Sequence, residues 1–258
     1  MIDYTLSSKI KTQYKSVYPF PHIIIDNFFD ENILNKSLEE LKSFEDWGFD
    51  HSQRDMEVNK FMTPWCSENL VELENAAPIS KYILDYLNSP EVLKFLSELT
   101  GIENLIPDNT FFGGGIHKIS KGGKLAVHAD YSFHRNTGYH RRINLLLYLN
   151  KDWQSEWNGN LELWSSDMSK KIADIEPLFN RAVIFNITND ALHGHPKPLN
   201  TPENVDRYSF ALYYFTENRP QEEIERNLRD GDQSSVLWVE TPEETVKRDL
   251  DLDSIFKV

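Results

Sequence analysis

The hydrophobic pattern changes character about 110 residues into the chain. Before that point apolar residues recur at helical spacing. Phe28, Phe29, Ile33, Leu34, Leu38 and Leu41 predict a helix within Asn27–Phe44, and two more are expected over Pro78–Leu87 and Pro90–Leu99. Proline suits the first helical position, where no amide donor is needed, and Gly101 is a natural stop for the last of these helices. His22–Asp26 (HIIID) is a short β-branched run and predicts a buried strand. Beyond residue 110 the runs are shorter and separated by turn residues. Gly115–Ser120, a hairpin turn at Lys121–Lys124, and Leu125–Tyr131 come first, followed by Ile143–Asn150, Asn160–Trp164, Ala182–Ile187 and Tyr208–Thr216.

This order predicts a mainly β fold with flanking helices, its strands closing into an antiparallel double-sheet barrel of the jelly-roll kind. The expected organisation is one domain: residues 1–110 supply a strand and supporting helices, 111–218 the β core, and 219–258 an acidic extension. Within that extension Val236–Val239 is an apolar patch expected to dock on the body.

Composition narrows the function classes. The chain has 258 residues, 40% hydrophobic and 26% charged, as in an ordinary globular protein. Its one cysteine, Cys66, allows neither an intramolecular disulfide nor a cysteine-rich metal site, so a reducing, cytoplasmic location is expected. The first ten residues lack the pattern of a signal peptide, and no apolar run is long enough for a membrane-spanning helix. A net charge of −14 opposes phosphate backbones and anionic lipid. Nucleic acid and membrane are therefore not expected partners, whereas a basic peptide or a neutral small molecule would not be repelled.

His128-Ala129-Asp130 is the one His-x-Asp sequence in the chain. On a strand, residues i and i+2 share a face roughly 6–7 Å apart, so an imidazole and a carboxylate can converge on one ion. Alone the pair is weak evidence, since eight histidines make a chance occurrence unsurprising. Its setting adds weight: Val127 and Ala129 are apolar, as a buried opposite face requires, and His193-Gly194-His195 follows the strand Ala182–Ile187. Two histidines and one carboxylate leave three positions open on iron, enough for a chelating cosubstrate and dioxygen. Residue order does not choose between His193 and His195, and the spare one has a plain reading as a solvated loop histidine. On the last strand Arg207, Ser209, Ala211 and Tyr213 share a face. There an arginine can fork onto a carboxylate with a serine beside it. Asn144, Leu146 and Tyr148 likewise share a face, and Tyr148 could add a hydroxyl donor.

Gly113-Gly114-Gly115-Ile116-His117, the His-x-Asp, Arg142–Trp153 (RINLLLYLNKDW) and Ala173–Pro177 (ADIEP) follow one another in an order that closely resembles the iron(II)/2-oxoglutarate oxygenases related to the hypoxia-sensing prolyl hydroxylases, especially their bacterial relatives. The similarity is densest over Gly113–Phe215, and Pro19–Phe29 (PFPHIIIDNFF) shares it. The resemblance implies a double-stranded β-helix, a cupin-like barrel, with helices packed outside. It implies iron(II) held by His128, Asp130 and His193, with Arg207 on the far carboxylate of 2-oxoglutarate and Tyr148 hydrogen-bonded to it. The implied reaction is hydroxylation of an unactivated C–H bond with release of succinate and carbon dioxide, and ascorbate is a candidate auxiliary reductant. One departure is that His117 or Lys118 stands where the animal enzymes carry a tyrosine. Three other readings fit less well. A halogenase of this fold would lack Asp130, a cupin-like binding protein would leave Arg207 and Tyr148 idle, and a degenerate oxygenase kept as an interaction module would not need the full triad. The substrate is expected to be a prolyl residue or a small molecule. The loops that would select it, Asp46–Met62, Tyr131–His140 and Lys151–Asn158, carry no pattern that names it.

Overall fold

The computed structural model describes residues 2–45, 47, 59–62, 73–111, 113–134, 136–226 and 236–245. Most of the loop Asp46–Met62 and most of the acidic extension lie outside these residues. The first part of the chain holds α1 (Leu6–Ser16), β1 (His22–Asp26), α2 (Glu31–Ser43), β2 (Asn59–Met62), α3 (Pro78–Leu87) and α4 (Pro90–Thr100). Helix α2 begins where the Asp30 carboxylate accepts from the amides of Asn32 and Ile33, which otherwise have no intrahelical acceptor. Ser89 caps α4, and Gly101 ends it in the left-handed conformation at φ 76°. Helix α1 is absent from the sequence expectation because its stripe of Leu6, Ile10 and Tyr14 is thin and Thr5 makes no side-chain cap. Tertiary packing supplies what propensity lacks: Tyr14 is fully buried, with Leu6 and Ile10 against the same core.

The strands that follow are β3 (Ile106–Pro107), β4 (Gly115–Ile119), β5 (Leu125–Ala129), β6 (His140–Tyr148), β7 (Leu161–Trp164), β8 (Lys171–Ile175), β9 (Arg181–Asn186), β10 (His193–His195), β11 (Arg207–Thr216) and β12 (Leu237–Trp238), with the short helix α5 (Gln221–Arg226) before the last. They form two antiparallel sheets. The larger runs β1-β9-β6-β11-β4-β2, with β3 also on β11, and the smaller runs β12-β5-β10-β7-β8. Period-two alternation sorts their side chains. Ile143, Leu145, Leu147, Tyr208, Phe210, Leu212 and Tyr214 face the helices. Tyr148, Val183 and Phe185 meet Leu161, Leu163 and Ile175 of the smaller sheet across the barrel interior. The chain is thus the mainly antiparallel double-stranded β-helix with outer helices that the strand pattern and the resemblance implied. Among the described residues no helix is long and apolar enough to cross a membrane.

Several expectations need correction. Lys121–Lys124 is not a hairpin turn: β4 pairs with β11 and β2, whereas β5 pairs with β10 and β12, so these residues carry the chain from one sheet to the other. The crossing is pinned on Leu199, which accepts from the Gly122 amide at 2.8 Å and donates to the Gly123 carbonyl at 2.9 Å. Strand β6 begins at His140 rather than Ile143, because its charged first turnings are buried: Arg141 on Asp130, and Arg142 on Thr216 and Glu223. Strands β2, β3, β8 and β10 are additional, and β2 takes up the last four residues of the expected loop Asp46–Met62. The apolar patch Val236–Val239 docks as expected, with β12 pairing onto β5.

Strand β10 is a three-residue wedge between β5 and β7, and its register on β5 shifts between His193 and His195. Glycine is required in the middle. A Cβ on Gly194 would stand 2.8 Å from the carbonyl oxygens of both Leu125 and Ala126, and rigid backbone cannot step aside as a side chain could. Gly194→Ala is expected to destabilise the fold by about 1–3 kcal/mol, the usual cost of overpacking. Urea unfolding of the metal-free protein checks this, and an unchanged midpoint would contradict the close approach of β10 to β5.

Candidate metal centre

Strands β5 and β10 lie side by side in register, with His193 opposite His128. Val127 and Ala129 point outward against Trp164 and Leu192, which turns His128 inward. Each histidine is fixed through its Nδ1, which lies 2.9 Å from the Ala126 carbonyl for His128 and 2.8 Å from the Ala191 carbonyl for His193. A carbonyl only accepts, so Nδ1 carries the proton and the Nε2 lone pair is left free to bind a metal. Asp130, just past the end of β5, meets both: its carboxylate is 3.5 Å from His128 Nε2 and 3.4 Å from His193 Nε2. One ligand atom from each of the three lies within 4.8 Å of the others, and all three residues are buried. That is the donor set and spread of a facial two-histidine, one-carboxylate centre. Rings close the surroundings, with Phe185 at 4.8 Å from His193 and Trp238 at 4.9 Å from His128.

Arg141 and Asn144 were not foreseen as part of this centre. Arg141 Nη2 donates to Asp130 Oδ2 at 3.0 Å and Asn144 Nδ2 donates to the same oxygen at 2.8 Å. Arg141 also donates to Asn144 Oδ1 from Nε and Nη2, and its guanidinium lies against the rings of Tyr213, at 3.3 Å, and Tyr131, at 4.6 Å. Burial alone would raise the Asp130 pKa, but Arg141, followed by the two histidines, holds it well below the usual carboxylate range. Burial, reinforced by the neighbouring His128, pulls the His193 pKa down to about 4, so its ring is neutral and fit for a metal near neutral pH.

Arg207, Tyr148 and Ser209 also come together. Ser209 sits opposite Tyr148 in the β11–β6 ladder, and the Arg207 guanidinium lies 4.9 Å from the Tyr148 ring. Arg207 is 4% exposed, and its Nε donates to the Gly159 carbonyl at 2.9 Å. Among the described residues no carboxylate pairs with it, and burial lowers its pKa against the opposing influence of Tyr148. The Tyr148 hydroxyl is buried near the Arg207 guanidinium and, among the described residues, makes no hydrogen bond. A buried cation beside an unfilled hydroxyl fits a site for an anionic ligand. His195 is the clear reversal: instead of a solvated loop residue it is 3% exposed, and among the described residues neither ring nitrogen has a hydrogen-bond partner. Burial and the nearby Arg207 charge push its pKa well down. His117 is half-buried on β4, opposite Ser209.

Comparison with known proteins agrees with this geometry. Residues 114–215 match the family described as the 2OG-Fe(II) oxygenase superfamily. The prolyl 3,4-dihydroxylase OGFOD1 of Ostreococcus tauri is 24% identical over 227 residues, 83% of this chain, and the chain spans 41% of that relative's length. A prolyl hydroxylase of Trichoplax adhaerens, solved with a hypoxia-inducible-factor peptide fragment, superposes with a TM-score of 0.56 at 19% identity, covering 88% of this chain and 94% of the other. HygX of Streptomyces hygroscopicus, solved with nickel and 2-oxoglutarate, gives 0.53 at 12% identity over 86% and 92% of the two chains. Likeness at these identities concerns the fold.

The depressed histidines set a pH dependence. His193 titrates at about 4 when folded, against 6.5 ordinarily. Between these values the unfolded chain binds the extra proton, so metal-free protein should lose stability as pH falls from about 6.5 to about 4, by at most about 1.4 kcal/mol per pH unit for this residue. His195 acts in the same direction. Urea midpoints taken from pH 7.5 down to 4.5 test this, and stability that holds level or rises would contradict it.

Proposed function

We propose that this chain, whose residues 114–215 match the 2OG-Fe(II) oxygenase superfamily, is a dioxygenase in which His128, Asp130 and His193 hold iron(II) while Arg207, Tyr148 and Ser209 receive 2-oxoglutarate. The observation that carries the reading is the convergence of three buried ligand atoms within 4.8 Å, in the same barrel as a buried arginine that has no carboxylate partner among the described residues. Iron with 2-oxoglutarate supplies the oxidising chemistry: the oxo acid is decarboxylated to succinate and carbon dioxide as one oxygen atom of dioxygen enters a substrate C–H bond. The protein's part is placement. The two Nδ1–H···O=C bonds aim both imidazoles, Arg141 and Asn144 keep Asp130 ionised and fixed, and Arg207 orients the far end of the cosubstrate. The apolar walls from Leu161, Leu163, Val183 and Phe185 keep water from the centre.

We take the chain as one oxygenase domain, with 1–110 in support, 111–218 as the catalytic core and 219–258 as an extension. The similarity to prolyl hydroxylases makes a prolyl residue in a peptide the substrate to test first, with a neutral small molecule second. The net charge of −14 favours a peptide that is not acidic. A cytoplasmic location fits the single cysteine. The test is a screen of prolyl peptides and small molecules with iron(II), 2-oxoglutarate and ascorbate, read as succinate release together with the gain of one oxygen in the product.

Two sets of variants separate the roles. His128→Ala, Asp130→Ala and His193→Ala should each lose iron by elemental analysis. Arg207→Ala should keep iron but lose about 2–5 kcal/mol of 2-oxoglutarate binding, roughly 30- to 5,000-fold, because a carboxylate is left buried without its cation. Arg207→Lys keeps the charge without the fork and should fall between the two. Tyr148→Phe should cost about 0.5–2 kcal/mol. Anaerobic titration of the iron(II) protein, followed by its metal-to-ligand charge-transfer band, measures these. Undiminished 2-oxoglutarate binding by Arg207→Ala would remove the cosubstrate assignment and favour a cupin-like binding protein.

A further inference from the structure

Five histidines of the described chain are buried, and four of them have a bonded ring nitrogen. His22, His128 and His193 each set Nδ1 against a carbonyl, and His134 Nδ1 accepts from the Thr137 amide. His195 is the fifth, and neither Nδ1 nor Nε2 has a hydrogen-bond partner among the described residues. A neutral imidazole carries one N–H donor and one acceptor, and leaving both unmet in the interior is uncommon in native proteins. The position does not suit a metal ligand: His193 faces His128, whereas His195 lies further along β10 opposite Leu125, outside the cluster of metal-ligating atoms. Nor does it suit a packing role, which an apolar side chain would fill at less cost.

Its surroundings point to an anion. His195 and Gly159 share the lining of a cavity of about 280 Å³ whose own charged groups balance, Lys171 and Lys197 against Glu162 and Asp174. The cation beside His195 is Arg207, whose charge acts on it and with whose guanidinium no carboxylate among the described residues pairs; the Gly159 carbonyl takes the Arg207 Nε proton. That bond commits one edge of the guanidinium. Arg207 can then meet a carboxylate only through its terminal Nη groups, which leaves lone pairs on the carboxylate for a second donor.

We propose that His195 is that donor, binding the far carboxylate of 2-oxoglutarate through its ring N–H beside Arg207. The proposal rests on the cosubstrate reading above and adds a specificity-determining residue to it. His195 thereby selects for a second carboxylate on the oxo acid, and has no part in holding the metal.

The experiment compares two oxo acids on the anaerobic iron(II) protein. One is 2-oxoglutarate; the other is 2-oxopentanoate, which can chelate the metal in the same way but has no far carboxylate. His195→Phe should keep iron, weaken 2-oxoglutarate roughly tenfold or more, and leave 2-oxopentanoate unchanged. His195→Gln, which restores an N–H donor, should recover much of the loss. A second measurement needs no variant: in the wild-type protein loaded with zinc, the His195 ring N–H resonance should shift on adding 2-oxoglutarate and stay in place with 2-oxopentanoate. Equal weakening of both acids, or a resonance indifferent to 2-oxoglutarate, would overturn the proposal. If Arg207→Ala weakens 2-oxoglutarate and His195→Phe does not, only the role of His195 is lost. If neither variant weakens it, the cosubstrate reading falls as well.

Discussion

A carboxylate set between two imidazoles in an apolar barrel would, left alone, take up a proton, because the charged form loses its water. The Arg141 guanidinium, 3.0 Å from Asp130 Oδ2, reverses that balance and is itself 1% exposed. Neither charge is tenable without the other: removing one partner of such a buried pair usually costs about 3–5 kcal/mol. Asn144 shares the burden by donating to the carboxylate and accepting from the guanidinium, and Tyr213 and Tyr131 offer ring faces to the cation. The cluster is satisfied as a unit, and β5, β6 and β11 all contribute to it or flank it. The geometry at Asp130 therefore depends on the registry of three strands, two of them in the opposite sheet.

That registry explains what the sequence could and could not disclose. The inward faces of β6 and β11 were legible from period two alone: Asn144, Leu146 and Tyr148 on one, Arg207, Ser209 and Tyr213 on the other. Strict alternation would send Arg142 inward and Arg141 outward. The ladder instead slips one residue, with Ile143 opposite Tyr214 but Arg141 opposite Phe215, so that Arg142 is the bulged residue and Arg141 turns inward. A bulge of this kind reverses the parity of every residue beyond it and has no signature in the sequence. The same difficulty concealed β10. Three residues are too few to show a period, and both of its histidines were open to a loop reading until the wedge between β5 and β7 was visible.

Other elements were legible because their signals are local. Pro78, Pro90 and Gly101 mark helix ends by chemistry within one turn, and the boundaries expected there hold to within a residue, whereas α2 starts at Glu31, four residues inside its expected span. The Lys121–Lys124 segment misled for the converse reason. Two glycines between apolar runs specify a tight turn, but which strands flank it is decided by distant partners, here Leu199 and β11.

The docking of β12 has a consequence for how a polypeptide can approach the centre. Without it, β5 would be the border of the smaller sheet, with a row of unused amides and carbonyls running alongside His128. Leu237 and Trp238 pair with Ala129 and His128, and the Val239 amide bonds to the Val127 carbonyl at 2.8 Å. The chain has thereby occupied with a segment of its own the place where a guest strand could have zipped on next to His128. The opposite border of that sheet, β8, is separated from β5 by two intervening strands. At β5, then, both edges are taken, and no second polypeptide can pair its backbone there beside His128.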